Sequence, residues 1–410
     1  MEHVVIVGAG HAGSQAAASL REQGFSGEIT LLSADGDFPY HKPPLSKTFM
    51  SAPDAPLQPL RGANYFDENR VRLRLGVSVT QIDRAAQRVM LSDGSTLDYL
   101  TLILATGTVP RRLDVPGADL SGVHHLRTAA DARALRAQIA AAQRAVIIGG
   151  GFIGLEAAAM LRARGLDVTV VELTDRLLAR AASPLIADAL RQDLEAMGVT
   201  ILTGTGVAAL HGAEGHVSRV ELADGDQLDC DMVLVGIGAQ PSTELAEAAD
   251  LQIENGIRVD TLLRSSDPAI HAIGDCCCFP DHRSEISHRL ESVQNATDQA
   301  RALAATLTGT PTPYASVPWF WSDIGQTKLQ IAGLPADADT VIPIRDPATN
   351  RLRAVYHLRG DIVLAVETLN SAGEHMLARK MLSSGRHPAR ASIAAGDLAA
   401  MKAQVMERVG

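Results

Sequence analysis

Large rings are scarce in this chain. Phenylalanine, tryptophan and tyrosine make up 3% of 410 residues, so the core must be built from Ala, Val, Leu and Ile. Cysteine is scarcer still. Cys230, Cys276, Cys277 and Cys278 are one distant and three adjacent thiols, which cannot staple an extracellular disulfide scaffold and predict a reducing setting. A basic surplus is missing: the formal charge is −10, which excludes a general nucleic-acid binder. No apolar run reaches the roughly 18–20 residues of a membrane span, and no charged leader precedes "VVIVG" at Val4. The expectation is a cytoplasmic protein with no membrane or nucleic-acid partner. Its length suggests two or three domains.

What is present is a repeat. "VVIVGAGHAGSQAAASLREQG" (Val4 to Gly24) is echoed by "AVIIGGGFIGLEAAAMLRARG" (Ala145 to Gly165). Each is a β-branched run, then G-x-G-x-x-G, then an Ala-rich amphipathic helix. Further β-rich runs follow, "EITLLS" and "DVTVVE". Strand–helix–strand context makes each a dinucleotide cradle. Gly8 and Gly149 permit the tight turn, Gly10 and Gly151 let backbone approach a pyrophosphate, and Gly13 and Gly154 let helix pack on strand. The helix N-terminus then offers unpaired N–H groups to phosphate. Ile153 counts among the contacts of the second cradle. Glu172 closes the second unit's second strand, where a carboxylate accepts from adenosine ribose hydroxyls and repels a 2′-phosphate, favouring NADH. Arg176, four residues on, is placed to relax that choice. In the first unit the matching spot reads Ser33-Ala34-Asp35, with the acid displaced to Asp35.

Two cradles in one chain predict FAD in one and a nicotinamide in the other. "LILATGTVPR" (Leu102 to Arg111) is a buried strand ending in the Ala105-Thr106-Gly107 turn, and "SSDPAIHAIGDC" (Ser265 to Cys276) ends in Gly-Asp. The order G-x-G-x-x-G, A-T-G, G-x-G-x-x-G, G-D resembles the two-dinucleotide-binding-domain flavoproteins, the glutathione-reductase-like superfamily. "FPYHKPPLSK" (Phe38 to Lys47), "LRTAADAR" (Leu126 to Arg133), "LESVQNATDQAR" (Leu290 to Arg301) and "PWFWSD…KLQIAG" (Pro318 to Gly333) narrow this. They resemble bacterial FAD-dependent, NADH-using ferredoxin reductases of the putidaredoxin reductase type. These feed 2Fe-2S ferredoxins serving haem monooxygenases and aromatic-ring dioxygenases. The resemblance covers almost the whole chain. It implies FAD contacts at Ala12, Lys47, Val79, Arg127, Asp275 and Val293, and the Ala105-Thr106-Gly107 turn matches its A-T-G motif. Many members carry an acid at the position of Ala34, and Asp35 is the substitute here.

Pro43 and Pro44 fix φ and remove donors, so an apolar wall can stand beside a flavin. Lys47 can place a cation where negative charge grows on the ring during hydride transfer. Glu156 carries two readings, an ion-pair partner of Lys47 from another domain or a helix-dipole carboxylate in the first turn. Gly238 lets nicotinamide ride close to the backbone. Both tryptophans lie in "VPWFWSD" (Val317 to Asp323). In a strand Trp319 and Trp321 share a face and Phe320 takes the other. The resemblance puts Trp321 against the flavin and leaves Trp319 for the partner surface, while core packing is the alternative. The cysteines have neither C-x-x-C nor C-x(4)-C spacing, so no thiol relay is expected beside the flavin, and adjacent thiolates make no metal site. Arg289, Lys42 and Lys328 either form a basic docking patch or scatter. His41 and His288 read as surface or packing residues.

The fold expected is α/β: two Rossmann-like domains for FAD and NADH plus a C-terminal α+β domain. The boundaries are 1–109 and 242–317 for the FAD domain, 110–241 for the NADH domain and 318–410 for the last. There, antiparallel strands turn at Pro335, Asn350 and Gly360 before two helices, "GEHMLARKMLSSG" and "AGDLAAMKAQVMERV". The resemblance implies NADH-dependent reduction of a 2Fe-2S ferredoxin, an oxidoreductase activity. The alternatives are a rubredoxin reductase, an NADH oxidase, or an NADH-responsive redox-sensing interaction protein. Replacing Asp275 by alanine is expected to yield colourless, FAD-free protein in an absorbance scan. A yellow, fully loaded Asp275→Ala variant would refute the role given to that carboxylate.

Overall fold

The two apolar runs that open the repeats become the central strands of two parallel sheets. His3–Val7 and Arg144–Ile148 are buried beyond their first residue, as strands covered on both faces must be. The computed structural model describes residues 2–50, 52, 54–281 and 286–406. The chain divides into two units. One comprises Met1–Pro44, Pro56–Val109 and Ala239–Ser316, and the other Leu45–Ala55, Pro110–Gly238 and Val317–Gly410.

In the first unit five parallel strands run in the order Ile270–Ala272, Thr101–Leu104, His3–Val7, Glu28–Leu32, Val71–Arg74. In chain order this is 5-4-1-2-3, a doubly wound sheet whose direction of winding switches beside the first strand, where such sheets bind ligands. Helices His11–Glu22 and Val293–Leu307 belong to this unit, with an antiparallel layer of Val79–Asp83, Arg88–Leu91 and Thr96–Asp98. One apolar cluster runs from Val4 to Tyr314 and takes in Cys276 and Cys277.

The second unit repeats the plan. Its parallel order is Thr200–Thr203, Asp167–Glu172, Arg144–Ile148, Met232–Val235, Val123–His124. The same unit holds an antiparallel sheet in the order Trp319–Ile324, Thr327–Gly333, Ile362–Leu369, Leu352–Arg359, Thr340–Arg345. The left-handed conformations at Asn350 and Gly360 turn the chain as the sequence predicts, and so does the Ala338 N to Pro335 O hydrogen bond of 3.2 Å.

The expected pair of C-terminal helices is corrected. Ala372–Ser384 forms, and the predicted helix over 395–409 forms as Leu398–Met406, but a short helix that the sequence did not announce, Arg390–Ala394, precedes it. Gly396 lies between these last two at φ +63°, and a Cβ there would meet Ile344 at 2.9 Å. Positive φ at a tightly packed glycine separates the two helices, so the predicted one starts only at Leu398. Residues 407–409 of the predicted helix lie outside the described residues.

A buried carboxylate fastens this second sheet to helix Pro184–Ala196. Glu367, 1% exposed, accepts from the Ser183 backbone N–H at 2.8 Å and faces His357 Nε2 at 2.9 Å. Removing one member of a buried, hydrogen-bonded pair strands the other. Glu367→Ala is therefore expected to destabilise this region by about 3–5 kcal/mol. The loss should appear as a lower denaturant midpoint in the fluorescence of Trp319 and Trp321, the only tryptophans.

Candidate functional site

Each cradle is shaped by what a side chain would hit. A Cβ built on Gly8 (φ +106°) would fall 2.2 Å from the Ala105 carbonyl oxygen, and one on Gly13 would fall 1.9 Å from the Gly8 oxygen. In the second cradle, a Cβ on Gly149 (φ +110°) would fall 2.4 Å from the Gly236 oxygen and one on Gly154 2.1 Å from the Gly149 oxygen. All four distances are inside van der Waals contact, so only glycine allows the turn and the helix to approach the strand. In front of Gly10 nothing lies within 4 Å, and in front of Gly151 only the Gly236 oxygen at 3.9 Å.

The helices begin at these open glycines. Gly10 and Gly151 are N-caps in extended backbone with no side-chain cap. By contrast Thr128, Ser183 and Ser292 cap their helices by accepting backbone N–H bonds. Uncapped N–H groups facing open space suit a pyrophosphate. The cradles therefore fit the dinucleotides that the sequence predicts, FAD at the first and NADH at the second.

Around the first cradle the structure gathers several predicted residues. Gly274 (φ +78°) packs so closely that a Cβ there would lie 2.9 Å from Ala12 Cβ and 3.8 Å from Ala296. That brings the Gly-Asp loop to the first helix and to the helix that Val293 opens. Gln299 Oε1 fixes the loop by accepting from the Gly274 N–H at 2.7 Å. Thr106 Oγ1 donates to the Ser242 carbonyl at 2.8 Å, and the Gly107 carbonyl accepts from the Ser242 N–H at 2.9 Å. Val79 opens its strand opposite Leu91. Asp35 accepts from Tyr40 Oη at 2.8 Å and from the Asp37 N–H at 3.1 Å, so its carboxylate organises its own turn.

The structure bears here on the basic residues, the thiols and His41. Arg289 is no free docking cation. Its guanidinium is mostly buried, and it donates to the Asp275 carbonyl at 3.2 Å and pairs with Glu291 at 2.6 Å. Lys328, grouped with it by sequence, belongs to the other unit and lies 3.4 Å from Asp323. The cysteines are all buried and free, and burial raises the thiol pKa of each, that of Cys230 to about 12. His41 is half-buried, with its nitrogen 3.3 Å from His11, and burial lowers its pKa.

The second unit contains the densest polar cluster of predicted residues. Lys47 Nζ lies 2.9 Å from Glu156 Oε1 and 3.7 Å from Asp323 Oδ2. Glu156 is the fifth residue of helix Phe152–Ala163, past the first turn, so the helix-dipole alternative gives way to direct partners. Two of these went unnoticed in the sequence. Ser46 Oγ donates to Oε2 at 2.5 Å and Ser322 Oγ to Oε1 at 2.6 Å, both from buried positions. A buried carboxylate needs such donors to stay ionised. No motif marks a serine for this, although Ser46 and Ser322 each lie beside a residue the motifs did mark.

The segment that carries Lys47 is clamped from within its unit. Arg136 stacks over Phe49 at 4.1 Å and donates to the carbonyls of Phe49, Ala52 and Ala55 at 3.2, 3.4 and 3.0 Å. Arg164 donates to the Met50 carbonyl at 2.7 Å. Pro43 opens the short 3-10 turn Pro43–Ser46 that leads into the segment. Arg127 precedes Thr128, the N-cap of Ala129–Ile139, and its N–H donates to Asp131 at 3.0 Å.

Trp319 and Trp321 share a face, with ring centroids 5.6 Å apart, and Phe320 turns the other way onto Phe152 at 4.5 Å. Trp319 packs on the C-terminal core, under Arg379 at 4.3 Å and edge-on to His375. Trp319 thus has core contacts, and both indoles are partly buried. Ile153 is 43% exposed at the start of the second cradle helix. Gly238 sits at φ +105°, with Arg180 and Arg111 nearest to where a Cβ would be. Arg176 does not reach outward. It donates to the carbonyls of Leu177, Leu178, Ala179 and Ala182.

A family model described as pyridine nucleotide-disulphide oxidoreductase matches residues 2–300, and a second, reductase C-terminal, matches 319–403. A rhodocoxin reductase of Rhodococcus erythropolis is 48% identical over 382 residues, 93% of this chain and 89% of that one. The ferredoxin reductase for the CYP199A2 system from Rhodopseudomonas palustris superposes with a TM-score of 0.95 at 39% identity, covering 98% of this chain and all of that one. The reductase in a covalent putidaredoxin reductase–putidaredoxin complex gives 0.94 at 36% identity, covering 99% of each.

The geometry separates two glycines. Gly10→Ala is expected to fold, because its Cβ meets nothing, yet to retain less flavin, because the methyl enters the phosphate space. Gly13→Ala is expected to lose the folded first unit, because its Cβ meets backbone. Circular dichroism and flavin absorbance on both variants check this, and equal behaviour of the two would contradict it.

Proposed function

The chain belongs to the pyridine nucleotide-disulphide oxidoreductase family, and from that premise we propose that it is an NADH-dependent FAD flavoprotein that reduces a 2Fe-2S ferredoxin. FAD, when bound, takes two electrons from NADH and releases them singly to a one-electron acceptor. The observation that carries this reading is the pair of glycine cradles in a chain whose thiols are buried and held protonated. Without a dithiol relay, electrons pass from flavin to an outside acceptor. The names of the similar reductases, which include ferredoxin, putidaredoxin and rhodocoxin reductases, support that acceptor class.

The residue roles follow the sequence reading. Gly8, Gly10, Ala12, Gly13, Asp275 and Val293 belong to the FAD cradle, joined by the Ala105-Thr106-Gly107 turn. Gly149, Gly151, Ile153, Gly154, Glu172 and Gly238 belong to the NADH cradle. Lys47, held by Glu156, supplies the cation that stabilises negative charge on the reduced ring. We assign the domains as 1–109 with 242–317 to FAD, 110–241 to NADH and 318–410 to the C-terminal domain. Among the described residues no helix is long and apolar enough to cross a membrane. A cytoplasmic electron-transfer component of a haem monooxygenase or dioxygenase system fits this reading.

The test is NADH-driven cytochrome c reduction with and without added 2Fe-2S ferredoxin. Turnover is expected only when ferredoxin is present. Peroxide formed in step with NADH consumption would point instead to an oxidase. Persistent long-wavelength absorbance after NADH, without turnover of any acceptor, would point to a sensor.

A further inference from the structure

The carboxylate of Glu172 is nearly full before any ligand arrives. Oε1 accepts from the Thr174 N–H at 2.8 Å and from the Thr174 hydroxyl at 2.7 Å, and Oε2 accepts from the Gly150 N–H at 2.6 Å. The Thr174 hydroxyl also lies 2.9 Å from the Arg176 carbonyl. It has one proton, and the closer, charged acceptor takes it. An ionised carboxylate offers roughly four lone-pair sites. Three are taken here, and the one left is on Oε2.

The neighbourhood limits what else can be read. Arg176 turns Nη1 and Nη2 onto backbone carbonyls of its own loop, Ala182 at 3.0 Å and Ala179 at 2.8 Å, which draws its charge toward that loop. Leu173, between Glu172 and Thr174, is 73% exposed and offers apolar cover to a flat base. A Cβ on Gly150 would lie 3.1 Å from Glu172 Oε2, so the backbone here runs close under the carboxylate.

We propose that Thr174 is a specificity-determining residue: by filling Oε1 it leaves Glu172 one acceptor site, so the second cradle reads one of the two adenosine ribose hydroxyls of its dinucleotide and not both. This rests on the reading of Glu172 as the ribose acid of the NADH site. A 2′-phosphate would meet the carboxylate, so NADPH is expected to bind more weakly than NADH at the same point.

The experiment is titration calorimetry of the oxidised holoenzyme, where no turnover occurs. The probes are NAD⁺, its adenosine 2′-deoxy analogue and its adenosine 3′-deoxy analogue. Wild-type enzyme is expected to bind one analogue like NAD⁺ and the other roughly tenfold more weakly, the cost of one hydrogen bond to a charged group. Thr174→Val frees a site on Oε1, so both analogues should then bind more weakly than NAD⁺. Thr174→Ser, which keeps the hydroxyl, should restore the one-sided pattern. If both analogues or neither lose affinity for the wild type, or if Thr174→Val leaves the pattern unchanged, the proposal is overturned. Glu172→Ala separates the two levels. If it binds NAD⁺ as tightly as wild type, the ribose reading itself falls. If it binds more weakly while the analogue pattern is wrong, only the role of Thr174 falls.

Discussion

The close approach of a helix start to the strand before it is the constraint on which both cradles depend. At Gly13 and Gly154 a single carbon would penetrate the carbonyl of Gly8 or Gly149. Because it is absent, the helix axis can aim its first N–H groups into the gap beside the strand, at the point where the sheet's winding reverses. The space is then kept open by Gly10 and Gly151. The same solution, used twice in one chain, makes this a protein of two nucleotide sites rather than one sheet with a decorative turn.

A second constraint is electrostatic. Glu156 is buried, and a buried carboxylate is tolerated only with donors around it. Two stretches distant in sequence from its helix supply them: Ser46 with Lys47, and Ser322. The segment bearing Lys47 is held by Arg136 and Arg164 through backbone carbonyls, which makes the position of the cation insensitive to the identity of most side chains around it. Asp323 adds a second, partly exposed carboxylate on the other side of the same ammonium.

Much of this was legible in the chain. The β-branched runs, the glycine spacing and the Ala-rich helices name their own elements, because period, turn and propensity agree. The alternation Trp319, Phe320, Trp321 is read correctly for the same reason, since neighbours on a strand must face opposite ways. Errors gather where the folded backbone, and not a motif, selects a side chain's partner. Arg289 looked like a surface cation, yet Glu291 and the Asp275 carbonyl claim it. Arg176 was placed to relax the choice of NADH, yet its Nη1 and Nη2 fold back on its own loop. The last predicted helix starts late, at Leu398, because Gly396 holds a positive φ, and the short helix Arg390–Ala394 before it went unread.

The sequence by itself determined that there are two strand–turn–helix cradles, which glycines shape them, that Glu172 ends the second, and that the thiols lack redox spacing. These are local matters, decided by steric limits on φ and by side-chain periodicity within a few residues. Only the tertiary structure decided which polar atoms each carboxylate holds. Glu156 meets two serines and a lysine, and Glu172 is occupied by Thr174 and Gly150. Hydrogen bonding acts over about 3 Å, and only the folded backbone brings groups from distant parts of the chain within that range.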